Sequence, residues 1–269
     1  MSKYDYDKLP TNIQNEIADN IIADHMENSN KYYPKVVIKE GIYSKYIKRI
    51  IDLVIASIAL LVFFPVNVII AIVTFFDVGS PIFFVQKRMG KDGHIFSMIK
   101  FRNMTNEKDE NGVLLRSDYR VTKWGKFTRK YSLDELLNFI CIFKGDMSII
   151  GPRPLPLVYK DRFNEYHNMR HAVKPGLDCP LRDLSKTMTW ENRFENDVWY
   201  AEHVSFATDM RLFFLLVRRA LFGSDMAERA EGVNEGTFVG YYEDGRVMDS
   251  HHIPDHYYEQ AIERNNWQI

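Results

Sequence analysis

The sequence predicts an α+β, mostly helical fold, in which a membrane-inserted helix carries a small domain edged by amphipathic, interface-lying helices. Three observations predict it. Residues 50–76 form one apolar run, two short strand-like runs around a glycine turn follow, and several stretches of helical periodicity come after them. With 269 residues, 46% of them hydrophobic, the chain can bury one good-sized domain with appendages or two small ones. A formal charge of −1 gives no global field for nucleic acid, so no nucleic-acid partner is expected and any phosphate-binding patch must be local. Cys141 and Cys179 lie far apart with no CxxC. That argues against a disulfide framework or a zinc site and suits a reducing cytoplasm.

The first 44 residues read as a polar extension whose acidic opening argues against a secretory signal peptide. Within it, Ile13, Ile17 and Ile21 or Ile22 follow Pro10-Thr11 at helical spacing, the pattern of a short docking helix. The apolar run has 27 residues and one charge, Asp52. As a straight helix it would reach roughly 40 Å against a hydrocarbon core of about 30 Å. Pro65 near its middle predicts a kink, with arms of about 22 Å and 16 Å that are each too short to span alone. Lys45, Lys48 and Arg49 precede the run, and Lys87, Arg88 and Lys91 follow it. Since basic residues favour the cytoplasmic side, a re-entrant helix that keeps both clusters inside is preferred over a simple crossing or a buried soluble helix.

Strands are predicted at Pro81–Gln86 and His94–Lys100, joined by a turn over Met89–Gly93. Residues 105–118 read as loop. Helices are predicted over Ser132–Phe143, Lys160–Ala172, Trp190–Glu202 and Asp209–Phe222. The last is apolar yet carries Arg211, Arg218 and Arg219, which suits an interfacial helix or, equally, a core helix with snorkelling arginines. From Ser224 onward there are ten acidic residues against three arginines. Here a hairpin closed by Asp244-Gly245 and a helix after Pro254 are expected. His251, His252 and His256 read as surface residues rather than metal ligands.

Chemistry concentrates around Tyr131-Ser-Leu-Asp-Glu-Leu-Leu137. On spacing alone, Ser132 followed by Glu135 is an ordinary capping box with Asp134 as a first-turn acid. The same physics would keep a carboxylate nucleophile ionised and oriented, and an adjacent acid offers oxygens to Mg²⁺. Lys100, Arg102, Lys123, Lys126, Arg129, Lys130, Lys144 and Arg153 surround this run in sequence. Two prolines stiffen the loop Gly151-Pro152-Arg153-Pro154, which presents one guanidinium, a fork that matches phosphate oxygens.

These motifs, in order, are Lys48-Arg49 with Asp52, the Pro65 helix, Gln86-Lys-Arg-Met-Gly90, Phe96–Met104, Ser132–Leu136, Lys144–Pro154, Lys174-Pro-Gly176 and Phe194–Tyr200. Over residues 45–222 the chain resembles the bacterial sugar transferase family, the monotopic polyprenyl-phosphate phosphoglycosyl transferases. The resemblance implies a re-entrant helix over 45–80 and a catalytic domain over 81–222 on the cytoplasmic face of the bacterial inner membrane. Residues 1–44 and 223–269 would be extensions outside the family pattern. It further implies a ping-pong transfer of a sugar 1-phosphate from a UDP-sugar to undecaprenyl phosphate, starting a lipid-linked glycan. Asp134 would be the nucleophile, and Glu135 with Asp134 would hold Mg²⁺. Lys100, Arg102, Arg129 and the Pro152-Arg153-Pro154 loop would bind substrate phosphates. Asp197 would orient an arginine or assist the metal. Downstream glycosyltransferases are the partners such an enzyme implies.

Two departures stand out. Phe64 occupies the place before the membrane proline where the family usually has serine, and Leu177–Lys186 replaces the family's Thr-Gly…Gln-Val-Asn-Gly stretch. The donor sugar therefore does not follow by analogy. A catalytically retired scaffold that binds a partner enzyme, and a metal-dependent phosphohydrolase, are the competing readings.

Overall fold

A computed structural model describes residues 3–110, 112, 114–183, 185–222, 236–265 and 267. Its longest element is helix α2, Lys48–Val78, which follows helix α1, Thr11–Tyr32, and contains Pro65. Thirty-one residues make a rod of about 46 Å. Only 17% of its most apolar stretch is buried, so it is not the core helix of a soluble domain. Ile50, Val54, Ile58, Leu61, Phe64, Ile69 and Phe76 are exposed, whereas Asp52, Ala56, Ala59, Ile70 and Thr74 face the protein.

Both ends of α2 are fastened to the same domain. Near the start, Arg49 donates to the carbonyls of Ile142 and Phe143 at 2.6 and 2.8 Å. The run's lone charge, Asp52, is buried and accepts the Ile149 amide at 3.0 Å. Near the other end, Trp124 donates to Thr74 at 3.1 Å and Thr122 to Asp77 at 2.6 Å. Gly79, at φ 73°, then turns the chain away.

Strands β1 (Phe83–Met89) and β2 (Ile95–Phe101) pair antiparallel, from Phe83 opposite Phe101 to Met89 opposite Ile95. The sequence placed this hairpin correctly but ended β1 three residues early. Helix α3, Lys123–Lys130, is capped by the Thr122 hydroxyl, which accepts the Gly125 amide.

The single helix expected over Ser132–Phe143 is not formed. Ser132 adopts a left-handed φ of 53° and makes no side-chain cap, because a capping serine needs extended backbone. A 3₁₀ turn, Leu133–Glu135, comes first, and helix α4 spans Asn138–Lys144. Nor is Lys160–Ala172 one helix. Phe163 and Asn164 are extended, and the Asn164 side chain caps a fresh turn by accepting the His167 amide at 2.6 Å. Between 3₁₀ turns at Leu157–Arg162 and Met169–Ala172, that turn, Glu165–Asn168, is all that is α-helical.

Strands β3 (Ser148–Ile150) and β4 (Gly176–Asp178) pair in parallel and are too short to show an alternating pattern. Their loops approach so closely that a Cβ on Gly176 would lie 2.2 Å from the Gly151 nitrogen, which makes glycine mandatory there. Helix α5 spans Trp190–Glu202 as expected, and α6 spans Phe206–Phe222, starting three residues before the expected Asp209. On α6, Arg211 and Arg218 are exposed and Leu212 is buried, while the Arg219 side chain lies outside the described residues.

The two terminal extensions share one core. Ile13, Ile17, Ala18 and Ile21 of α1 pack against Val239, Met248, Ile253, Tyr257, Tyr258 and Ala261. The last six come from the hairpin β5 (Phe238–Tyr241) and β6 (Val247–Asp249), its following loop, and helix α7 (Asp255–Arg264). The hairpin turns at Gly245, as its Asp-Gly pair foretold. The acidic stretch from Ser224 to Glu235 lies outside the described residues.

Candidate active site

Asp134 and Glu135 sit in the 3₁₀ turn between α3 and α4, with Asp134 only 6% exposed. Glu135 is gripped by two cations. Lys100, near the end of β2, lies 2.5 Å from Oε1, and Arg153 donates at 2.5 Å to Oε1 and 3.2 Å to Oε2. Burial alone would push Glu135 up, but the Arg153 and Lys100 charges outweigh it and hold the acid at about 2. Lys100 is itself lowered by burial against the pull of Glu135. Asp134 is raised above the ordinary carboxylate value by burial and by the neighbouring Glu135 charge, opposed by Lys100 and Arg129. The two adjacent acids are thus driven apart, one a fixed anion and the other a more basic carboxylate.

A relay fixes Asp134. Asn103 donates to its Oδ2 at 2.9 Å, and Arg129 donates to the Asn103 side-chain oxygen Oδ1 at 3.0 Å. Arg129 therefore reaches the acid through Asn103, a residue the sequence reading left unassigned. Its signal was position, three residues after Lys100 at the strand's end. Gly125 of α3 lets the Asn103 backbone pass close by, since a Cβ there would lie 2.1 Å from the Asn103 backbone oxygen.

Arg153 is presented by a loop in which three successive carbonyls are tied. The Pro152 carbonyl accepts the Gly176 amide at 3.0 Å, Arg153 accepts Arg170 at 2.9 Å and Pro154 accepts Arg88 at 3.0 Å. Arg170 is in turn held by Asp197 at 2.7 and 3.0 Å, a pair in which both side chains are almost wholly buried. Of the two expectations for Asp197, the geometry is that of orienting an arginine.

Arg102 is the expected phosphate ligand that lies elsewhere. Its guanidinium turns to the C-terminal end of α2 and donates to the Val78 and Gly79 carbonyls, with the rest of the group buried. A basic side chain there satisfies carbonyls that the helix cannot. Pro65 lies within α2 and is not among the groups that touch the acid pair.

Among the described residues no group of three or more His, Cys, Asp or Glu could hold a metal. The two residues expected to hold Mg²⁺ are Asp134 and Glu135, and both Glu135 oxygens are already engaged by Lys100 and Arg153. His252 meets Asp249 at 2.9 Å on the exposed side of the terminal lobe, in keeping with surface histidines.

The sequence profile of the bacterial sugar transferases matches residues 43–223. An uncharacterized sugar transferase, EpsL, of Bacillus subtilis (strain 168) is 39% identical over 196 residues, covering 72% of this chain and 96% of its own. The UDP-N-acetylgalactosamine-undecaprenyl-phosphate N-acetylgalactosaminephosphotransferase of Aeromonas hydrophila is 33% identical over 190 residues, 66% of this chain and 44% of that protein. A UDP-glucose:undecaprenyl-phosphate glucose-1-phosphate transferase of Escherichia coli (strain K12) is 35% identical over 185 residues, 65% of this chain and 40% of its own. Both of these last relatives thus extend well beyond what this chain covers.

Proposed function

This chain belongs to the bacterial sugar transferase family, and on that premise we propose that it transfers a sugar 1-phosphate from a UDP-sugar to undecaprenyl phosphate through a phosphosugar carried on Asp134. The observation that carries the reading is the buried Asp134 beside a Glu135 clamped by Lys100 and Arg153. In the first half-reaction an Asp134 oxygen bonds to the sugar-proximal phosphorus. The bond from that phosphorus to the bridging oxygen breaks, and its electron pair leaves with UMP. In the second, a phosphate oxygen of the lipid attacks the same phosphorus and restores the carboxylate. Two displacements replace one difficult step.

A more basic carboxylate is a better nucleophile, and burial with Glu135 supplies that basicity. Asn103 aims the attacking group, while Lys100 and Arg153 face the charge that spreads over phosphate oxygens in the transition state. Mg²⁺, for which Glu135 would exchange part of its Lys100 and Arg153 contacts with Asp134 alongside, would supply further neutralisation of the diphosphate.

The membrane geometry follows the same reading. We read α2, which continues through Pro65 as one helix, as entering and leaving by one face; its ties to one domain at both ends and the basic residues on both flanks support that reading. That face is the cytoplasmic one of the inner membrane, where the product would pass to downstream glycosyltransferases. The test is a screen of UDP-sugars for UMP release with lipid acceptor present and absent. UMP and lipid-linked sugar should both vanish in Asp134→Asn, and full activity in that variant would refute the mechanism. UMP release at an unchanged rate without lipid would instead mark a hydrolase.

A further inference from the structure

The C-terminal hairpin lies beyond the matched residues 43–223, yet one of its side chains reaches beneath the Arg153 loop. Phe238 of β5 is wholly buried. Its ring centre lies 5.0 Å from that of Phe194, edge to face, and 5.9 Å from that of Phe163, stacked. Arg170 lies over both of those partner rings, its guanidinium 5.7 Å from the Phe163 centre and 5.9 Å from the Phe194 centre. The same guanidinium donates to the Arg153 carbonyl at 2.9 Å. A second route is shorter still. Leu155, two residues after Arg153, packs into the one apolar cluster that also holds Phe238, Phe163 and Phe194.

Hydrogen bonds fix β5 on both sides of Phe238. Trp190 donates through Nε1 to the Gly236 carbonyl at 2.6 Å. Arg162 donates to the Phe238 carbonyl at 3.0 Å and to the Asn15 side chain of α1 at 3.2 Å. The Tyr241 hydroxyl accepts the Asn164 amide at 2.9 Å and lies 3.0 Å from His167 Nδ1. The strand is thus pinned at positions 236, 238 and 241, and the Phe238 ring is held with it.

Arg170 is the link between this wedge and the site. Two hydrogen bonds from Asp197 fix one edge of its guanidinium. The Phe163 and Phe194 rings support its plane, by packing and by cation–π attraction. Shortening Phe238 would leave a void behind those two rings, and the surroundings of a void relax into it. The plane under Arg170 would then tilt, and the Arg153 carbonyl would move with the group that donates to it.

We propose that Phe238 is a positioning residue for the active site: through Phe163, Phe194 and Arg170 the C-terminal hairpin holds the Arg153 loop, and so holds the Arg153 guanidinium against Glu135. The inference rests on the proposed transferase reaction, in which Arg153 faces charge that develops on phosphate oxygens. A displacement of about 1 Å at such a group costs up to about 100-fold in rate. The hairpin therefore sets turnover from outside the family's own segment.

The experiment follows UMP release by the full-length protein in detergent, with undecaprenyl phosphate and a panel of UDP-sugars that includes UDP-glucose and UDP-N-acetylgalactosamine. All variants are assayed well below the lowest melting temperature among them. Phe238→Leu should lower kcat by roughly tenfold or more while KM for the donor stays within about twofold. Tyr257→Leu supplies the structural control, since Tyr257 is equally buried but belongs to the lobe's own core. It should lower the melting temperature and leave kcat within about twofold of the parent. In an Arg153→Lys background the fork is gone, so the kcat penalty of Phe238→Leu should shrink to about threefold or less. Equal kcat in Phe238→Leu and Tyr257→Leu, or an undiminished penalty in the Arg153→Lys background, overturns the inference and leaves the transferase reading intact. A parent that releases UMP from no UDP-sugar overturns the transferase reading, and the inference falls with it. Should Phe238→Leu fail to fold, Phe238→Met, whose flexible side chain fills more of the space, carries the same comparisons.

Discussion

Asp197→Asn separates a positioning acid from a metal-assisting one. The carboxylate is 2% exposed and accepts two hydrogen bonds from an Arg170 that is equally buried. Removing the charge leaves a guanidinium in the core with no counter-ion, and a buried pair broken in this way costs about 3–5 kcal/mol. For a domain of this size, roughly 2–4 °C of melting temperature is lost per kcal/mol. The expected drop is therefore roughly 6–20 °C, followed by thermal melts of the detergent-solubilised protein. The second readout is the Mg²⁺ dependence of UMP release. Since Asp197 acts through Arg170 on the Arg153 carbonyl, the variant should lose turnover without a changed half-saturating Mg²⁺ concentration. A melting temperature within 2 °C of the parent, according to that scale, together with a higher Mg²⁺ requirement, would refute the reasoning and make Asp197 a metal-site residue.

Other outcomes follow from single contacts. Gly125→Ala puts a methyl against the Asn103 carbonyl, so Asn103 must shift and Asp134 lose its donor. UMP release should fall by roughly tenfold or more, as for one lost hydrogen bond to a charged group, and the melting temperature should drop too because the clash is with backbone; unchanged turnover would argue against the relay. Burial, with the Arg170 charge, pulls His167 and His171 down to about 3. Their folded values lie below the unfolded ones, so the stability they give is present above about pH 6.5 and is lost on acidification. Between pH 6.5 and pH 5 the two together should cost up to about 4 kcal/mol, seen in melts against pH. A flat profile over that window would contradict it. Glu135, at about 2, loses its contribution lower, as pH falls from about 4.5 through 2. Deleting residues 236–269 should expose Ile13, Ile17 and Ile21 and render α1 protease-sensitive, whereas a resistant α1 would show that it docks without the hairpin.

How much of this was legible depended on the range of the interactions involved. Helices α2 and α5 were readable because a long apolar run and a Thr-capped period of 3.6 are local signals. The sharing of one core by the two extensions was not readable, since Ile17 and Tyr257 carry no mark of each other across the sequence. The β3–β4 pair was hidden for the same reason, three residues being too few for alternation. Arg102 shows the limit of a resemblance. The family likeness implied a phosphate-binding task for it, whereas its guanidinium closes the C-terminal end of α2.

The acid pair is the sharpest case. Ser132 and Glu135 have the spacing of a capping box, and a helix N-terminus would have served Asp134 with backbone donors. A left-handed Ser132 forbids that arrangement. The pair is held instead by side chains from separate parts of the chain: Lys100 from β2, Asn103 just beyond it, Arg129 from α3, and Arg153 from the proline loop. This difference has a chemical consequence. Backbone donors at a helix end would stabilise the Asp134 anion and depress its basicity. Here burial and the Glu135 charge outweigh Lys100, the Asp134 amide and Arg129, so the carboxylate keeps a raised basicity, which suits the nucleophile proposed for it.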